Sequence, residues 1–300
     1  MFEQRPNMKH QSPLTGGDHP ELDNSKLLDS KGITIYQSLI GALQWVVSLG
    51  RIDMVTTVMT MSGVRVAPRK GHLKRVRRMV GYLTRMRDSA VRFRKGCPNY
   101  DELRKEKYDW QDTIYSGAQE VILEDLLTPL GSKVVHTCYV DANLMHDITT
   151  GKSVSATLHL LNQTPIDWFS KKQGTVETAT YGSKFMAAWI AIDQIVETRI
   201  TLRYLGVPLE GATHLFGDNQ FVVNSGNTPH NNLHKRHLIL SFHRAREAVA
   251  AAIVRFHYIN RKVNPVDLLS KIWGYQQVKE RLRTLLFWEG DTIQCDEQSK

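Results

Sequence analysis

At 300 residues with a formal net charge of +9, the chain has room for one large or two modest domains, and its apolar and charged fractions are those of a globular protein. No apolar run approaches the roughly 20 residues of a membrane-spanning helix, and the polar N-terminus lacks an apolar signal core, so neither a membrane anchor nor secretion is expected. Three cysteines, Cys97, Cys138 and Cys295, are odd in number and in no metal-ligand spacing, which points to reduced thiols in an intracellular protein.

The charge is uneven. Residues 65–95 carry twelve Lys/Arg and one acid, Asp88, a local +11 against a total of +9, so the rest of the chain stands at −2. Such a one-signed segment is either a solvated helix face or a surface that meets a polyanion.

In chain order, residues 1–30 read as an irregular polar leader. From Gly32 the spacing of Tyr36, Leu39, Ile40, Leu43 and Val47 predicts an amphipathic helix that Gly50 ends. Ile52, Val55, Val58, Met59 and Ser62 give a second short helix, stopped near Gly63. Pro68 opens a third, with a narrow seam of Leu73, Val76, Val80 and Leu83. Lys70, Lys74, Arg75, Arg77, Arg78 and Arg85 cover much of its remaining circumference and are the candidate nucleic-acid contacts of this region. Residues 92–131 are a mixed connector with a short helix expected near 120–127. The domain boundary is placed at 128–132, in a Thr-Pro-Leu-Gly-Ser turn signal.

The second domain alternates. Strands are expected at 133–141, 153–161 and 165–170, then a long helix over 178–204 with Phe185, Ala188, Trp189, Ile192, Ile195 and Val196 inward. A strand at 212–217 ends at Asp218, a short helix starts at Asn219, and a basic helix covers 232–249. A fifth strand at 252–259 and a last helix over 265–285 complete the order βββαβααβα. Three antiparallel strands followed by right-handed crossovers predict a mixed five-stranded α/β sheet with flanking helices and the first strand central. The tail after Trp288 is acidic.

Asp141 closes the first strand, Asp218 closes the fourth, and Asp267 lies in the first turn of the last helix. Each alone is explained by a helix cap or a surface turn. Together, at one edge of one sheet, they suit a pair of hard divalent cations, Mg²⁺ or Mn²⁺, which activate water and stabilise a leaving oxygen in phosphodiester hydrolysis.

The motifs YVDANL, TPIDWFSKKQGTVETATYGS, LFGDNQ, KRHLILSFHRARE and NPVDLLSK occur in the order found in the ribonuclease H domain of copia-type LTR retrotransposon polyproteins, which this stretch resembles. Upstream, YQSLIGALQW is similar to the segment that follows the reverse transcriptase catalytic core in the same polyproteins. The likeness runs from about Pro20 to Trp273, and no Tyr-Val-Asp-Asp motif precedes it, so the chain resembles a C-terminal portion: a thumb/connection region over 31–130 and a ribonuclease H domain over 131–288. The resemblance implies a ribonuclease H-like fold, cleavage of the RNA strand of RNA–DNA hybrids, a two-metal site at Asp141, Asp218 and Asp267, and a reverse transcriptase palm as a partner in a longer polyprotein. It also implies a cytoplasmic or nuclear setting, or a virus-like particle if the element is active.

One position departs from the family. Its remaining metal-binding glutamate belongs in a stretch like Tyr-Gly-Ser-Glu-Phe, and here Tyr181, Gly182 and Ser183 are followed by Lys184. Glu177 lies seven residues earlier, about 10 Å away along a helix, too far to stand in. An inward ammonium would pair with Asp141 or Asp218 and compete for their oxygens; the alternative is an outward-pointing surface lysine. The readings this leaves are an active ribonuclease H, a catalytically impaired one, or a non-catalytic nucleic-acid-binding remnant.

Weaker signals remain. His230, His234, His237 and His243 crowd the basic helix at spacings that suit zinc, but no Cys or acid completes a site. Lys235, Arg236 and His237 are read instead as nucleic-acid contacts. His237, His243, Arg246 and Glu247 match the family's helix motif, which implies a structural or substrate-backbone role. Asn219 and Gln220 either orient a phosphate or start a helix, and Trp45, Trp168 and Trp189 are read as core.

Overall fold

The computed structural model describes residues 10–94, 96–100, 102–103, 108–124, 126–233, 235–274 and 285–287. In chain order the elements are α1 (Ser30–Ser48), α2 (Val55–Ser62), α3 (Lys70–Arg85), β1 (Ala90–Val91), β2 (His136–Asp147), β3 (Lys152–Leu161), β4 (Thr164–Lys172), α4 (Thr180–Tyr204), β5 (Thr213–Gly217), α5 (Gln220–Asn227), α6 (Ile239–Ala250), β6 (Val254–Tyr258), α7 (Asp267–Ser270) and β7 (Leu286–Phe287). They fall into two compact units. The first comprises residues 1–92, 147–151 and 268–300, the second 93–146 and 152–267.

The first unit is helical. Tyr36, Leu39, Ile40 and Leu43 form the buried stripe of α1, as their spacing predicts, and meet Met54, Val58 and Met61 and then Val76, Met79 and Tyr82 of α3. Each such side chain, fully buried, contributes about 1.5–3 kcal/mol. The seam of α3 thus runs through Met79 and Tyr82 as well as Val76, with Leu73, Val80 and Leu83 only partly covered. Trp45 departs from its expected core position: it is 66% exposed, because it lies two residues past Leu43 and on the opposite side of α1. The leader has little regular structure but is packed. Leu14 is fully buried in the helical core, and His72 accepts from the Arg69 amide through Nδ1 while Nε2 donates to Pro20 O at 2.8 Å.

The second unit holds the mixed five-stranded sheet, in the order β4-β3-β2-β5-β6 with β2 central. β3 and β4 pair antiparallel through a turn at Asn162, whose φ of 54° an asparagine tolerates. β5 pairs parallel with β2 and with β6. Val140, Phe185, Ile192, Ile195, Leu215 and Phe256 are among the buried residues joining the sheet to α4 and α6.

Several boundaries differ from expectation. β2 continues six residues beyond Asp141, because its hairpin with β3 outlasts its pairing with β5. No helix forms over 120–124 or 126–127; Glu120 is instead clamped by Arg199 and Arg203 of α4. The basic helix starts late, with a 3₁₀ turn at Arg236–Leu238 before α6, since Pro229, Asn231 and Asn232 favour turns. Of the last helix, Asp267–Ser270 is seen and 271–274 is not helical, while its expected course over 275–284 lies outside the described residues. Among the described residues no helix is long and apolar enough to cross a membrane.

A buried polar chain lies between sheet and α4. Gln194 accepts from Thr157, His159 meets His136 at 3.2 Å, His136 meets Thr213 at 3.0 Å, and Arg199 donates to Thr213 and to Glu120. Burial, His159 and Arg199 push His136 down to about 3.

Candidate functional site

The parallel register decides where the acids fall. β2 and β5 pair from Thr137 opposite His214 to Val140 opposite Gly217. The next residue on each strand is an aspartate, so Asp141 and Asp218 step off the ladder side by side at the sheet rim. Both side chains are almost fully buried, at 0% and 2% exposure.

Lys184 projects from the first turns of α4 to the same point. Its ammonium lies 2.8 Å from Asp141 Oδ1 and also contacts Asp218 Oδ1. Burial disfavours the ammonium, yet the two carboxylates outweigh burial and hold its pKa above the ordinary lysine value. The outward-pointing alternative is therefore not what the structure has. A shallow pocket with room for little more than a water molecule lies against this triad, walled by Val140, Gly217, Asn219, Val222 and Phe256.

Asp267 is 2% exposed and begins α7. Its loop is tied to the rim strand by Asn264, whose side chain donates to Val140 O at 3.2 Å. Asp267 is not part of the pocket wall. Asn219 caps α5, accepting from the Val222 amide, and Gln220 donates to Asn224 one turn on, so both hydrogen bonds belong to the start of the helix.

A divalent ion does not fit these residues. The place between the two carboxylates is taken by an ammonium, and among the described residues no three of His, Cys, Asp and Glu are arranged to hold a metal ion. Among the described residues His230, His237 and His243 belong to no metal-holding group, and His234 lies outside them. His237 binds Glu177 at 3.0 Å, and His243 meets the Tyr115 hydroxyl at 2.6 Å. The guanidinium of Arg246 is packed over Trp110, Tyr115 and Phe242 and donates to the carbonyls of Thr228 and Pro229.

The basic helix divides. Lys70, Lys74 and Arg77 are exposed on one side of α3. Arg75 and Arg78 turn inward, contrary to their reading as polyanion contacts. Arg75 binds Asp18 and Asp23, and Arg78 donates to Ser12. The reason is helical phase, since 75 and 78 fall on the edge of α3 that the leader covers. Near the N-terminal end of α4, Lys235 donates to Thr178, Arg236 is exposed, and His237 stands over the buried Glu177.

No family model matches the chain. It is 22% identical over 237 residues to the retrovirus-related Pol polyprotein from transposon TNT 1-94 of Nicotiana tabacum, an overlap that covers 79% of this chain and 15% of the polyprotein. The chain is thus similar to a retrotransposon Pol polyprotein and spans only part of its length. Its sheet order and crossovers give the second unit the ribonuclease H fold. Solved structures similar to the chain include the N-terminal ribonuclease H domain of a Mycobacterium tuberculosis protein, at TM-score 0.35 and 11% identity over 51% of this chain and 99% of that one. A Halobacterium salinarum ribonuclease H1 aligns at TM-score 0.35 and 14% identity, over 50% of this chain and 99% of that one. A foamy viral protease–reverse transcriptase aligns at TM-score 0.31 and 9% identity, over 84% of this chain and 38% of that one.

What the sequence did not show is the leader's role and the Glu120 clamp. A signal existed for the first, because the acids Asp18 and Asp23 precede an almost one-signed basic helix.

Proposed function

We propose that the second unit is a retroelement ribonuclease H-type domain that engages nucleic acid, RNA–DNA hybrid foremost, and that its metal-dependent cleavage is impaired. The observation that carries this reading is the ammonium of Lys184 bound to both Asp141 and Asp218. Two-metal hydrolysis needs concentrated negative charge at the rim, and exchanging glutamate for lysine changes that charge by two units. Asp267 is the further acid that the resemblance assigns to Mg²⁺ or Mn²⁺. Because the chain spans 15% of its polyprotein relative, a reverse transcriptase palm in a longer polyprotein is the proposed covalent partner, within the cell. Lys70, Lys74 and Arg77 in the first unit, and Lys235 and Arg236 in the second, are the proposed backbone contacts.

The test is a Mn²⁺-supported hybrid-cleavage assay of the unmodified chain beside Lys184→Glu. Background rates for the first and cleavage by the second are expected. Robust cleavage by the unmodified chain, abolished by Asp141→Asn, would put the active-enzyme reading first.

A further inference from the structure

Resting on that nucleic-acid reading, we infer that Lys184 is a built-in counter-cation that lets the ribonuclease H-type unit dock a sugar-phosphate backbone without divalent metal. The solvent-facing member of the rim triad is the cation. Lys184 retains 13% side-chain exposure, while Asp141 and Asp218 beneath it retain 0% and 2%. A phosphate approaching the rim therefore meets the lysine side chain first, with the carboxylates already compensated by its ammonium. Two unscreened carboxylates at that point would repel a polyanion, and a bound dication is the usual remedy. Here the screening charge is covalently attached and in ion-pairing contact with both carboxylates.

The surroundings repeat the arrangement. At the N-terminal end of α4 the acid, Glu177, is 2% exposed at its side chain, and the group above it, His237, is 58% exposed. Arg236 is exposed beside it, and Lys235 reaches Thr178. Around this end of the helix, acids lie underneath and donors lie outside, which suits a backbone of phosphates.

The test is hybrid binding by fluorescence anisotropy at constant ionic strength, in EDTA and in Mg²⁺. The full chain carries Lys70→Ala, Lys74→Ala and Arg77→Ala, so that the helical unit's exposed cations do not mask the rim. Affinity is expected to agree within about twofold between the two conditions. Adding Lys184→Gln should weaken binding in EDTA about tenfold, the effect of losing a charge-assisted contact, with partial recovery in Mg²⁺. Lys184→Arg should keep metal-independent binding, and its melting curve serves as the folding control if the glutamine variant does not fold. A rise of about tenfold or more when Mg²⁺ replaces EDTA in the Lys184 chain would overturn the inference and leave the nucleic-acid reading standing. No binding in either condition would overturn both.

Discussion

Two cations in this chain each span two aspartates, one in each unit. Arg75 of α3 binds Asp18 at 2.9 Å and Asp23 at 2.5 Å. Lys184 of α4 binds Asp141 and Asp218. Both cations are held above their ordinary pKa by these partners, Arg75 by its hydrogen bonds to Asp18 foremost, Lys184 against the opposing effect of burial. The acids differ in origin. Asp18 and Asp23 belong to a leader whose Leu14 fills the helical core, so Arg75 latches a packed segment. Asp141 and Asp218 are delivered by two adjacent strands that pair without them, so Lys184 fills a place that the sheet creates. Arg75 lies in the densest basic run of the sequence yet is spent inward. Lys184 stands apart from such a run and faces the rim.

The largest expected effect separates the two sites. Lys184→Ala and Lys184→Glu should each lower metal-free stability by roughly 3–5 kcal/mol, since removing one partner of a buried pair leaves like charges together. Thermal or denaturant unfolding reads this directly, and an unchanged midpoint would mean that the triad is not formed in solution. Arg75→Ala should cost less, about 1–2 kcal/mol, because its partners are partly solvated and Ser25 still donates to Asp23. A loss as large as that of Lys184→Ala would erase the distinction between latch and rim.

Acid should also separate the units. Burial foremost holds His136 at about 3, and His214 and His257 at about 4, against an ordinary 6.5. Such groups contribute stability that is complete above pH 6.5 and is lost as pH falls toward 3–4, because the unfolded chain takes up protons first. In the helical unit, burial works against the Asp23 carboxylate, but Ser25 and Arg75 hold it at about 2, so that contribution is lost only below its ordinary 3.8. Melting across pH 7 to 4 should therefore weaken the sheet unit first, and His214→Gln should flatten its slope. The opposite order would reverse the assignment.

The smallest effect concerns exposed cations. Lys74→Ala and Arg77→Ala should each change stability by less than about 0.5 kcal/mol while reducing the log–log salt slope of nucleic-acid binding by about 0.9 per lost phosphate contact. Arg75→Ala should leave that slope unchanged.

The pattern of legibility follows the range of each interaction. The α1 stripe, the strand order and the placement of Asp141 and Asp218 at one rim were readable, since periodicity and crossover handedness act locally or by rule. So was Lys184 as a departure from the motif that the sequence resembles, though whether it pointed inward depended on the register of α4 against β2. The inward turn of Arg75 and Arg78 depended on a leader with no periodic signal of its own. The continuation of β2 beyond Asp141 was hidden because a strand's end is set by its partners. The clamp of Glu120 by Arg199 joins residues far apart in the chain, and neither carries a motif.

The most direct measurement of the central claim is calorimetric titration of Mn²⁺ into the unmodified chain and into Lys184→Glu at neutral pH. The account predicts no saturable binding at the rim of the first and a saturable site in the second that Asp141→Asn removes. A saturable site in the unmodified chain that Asp141→Asn abolishes would show that Lys184 yields its place to metal, and would contradict the account.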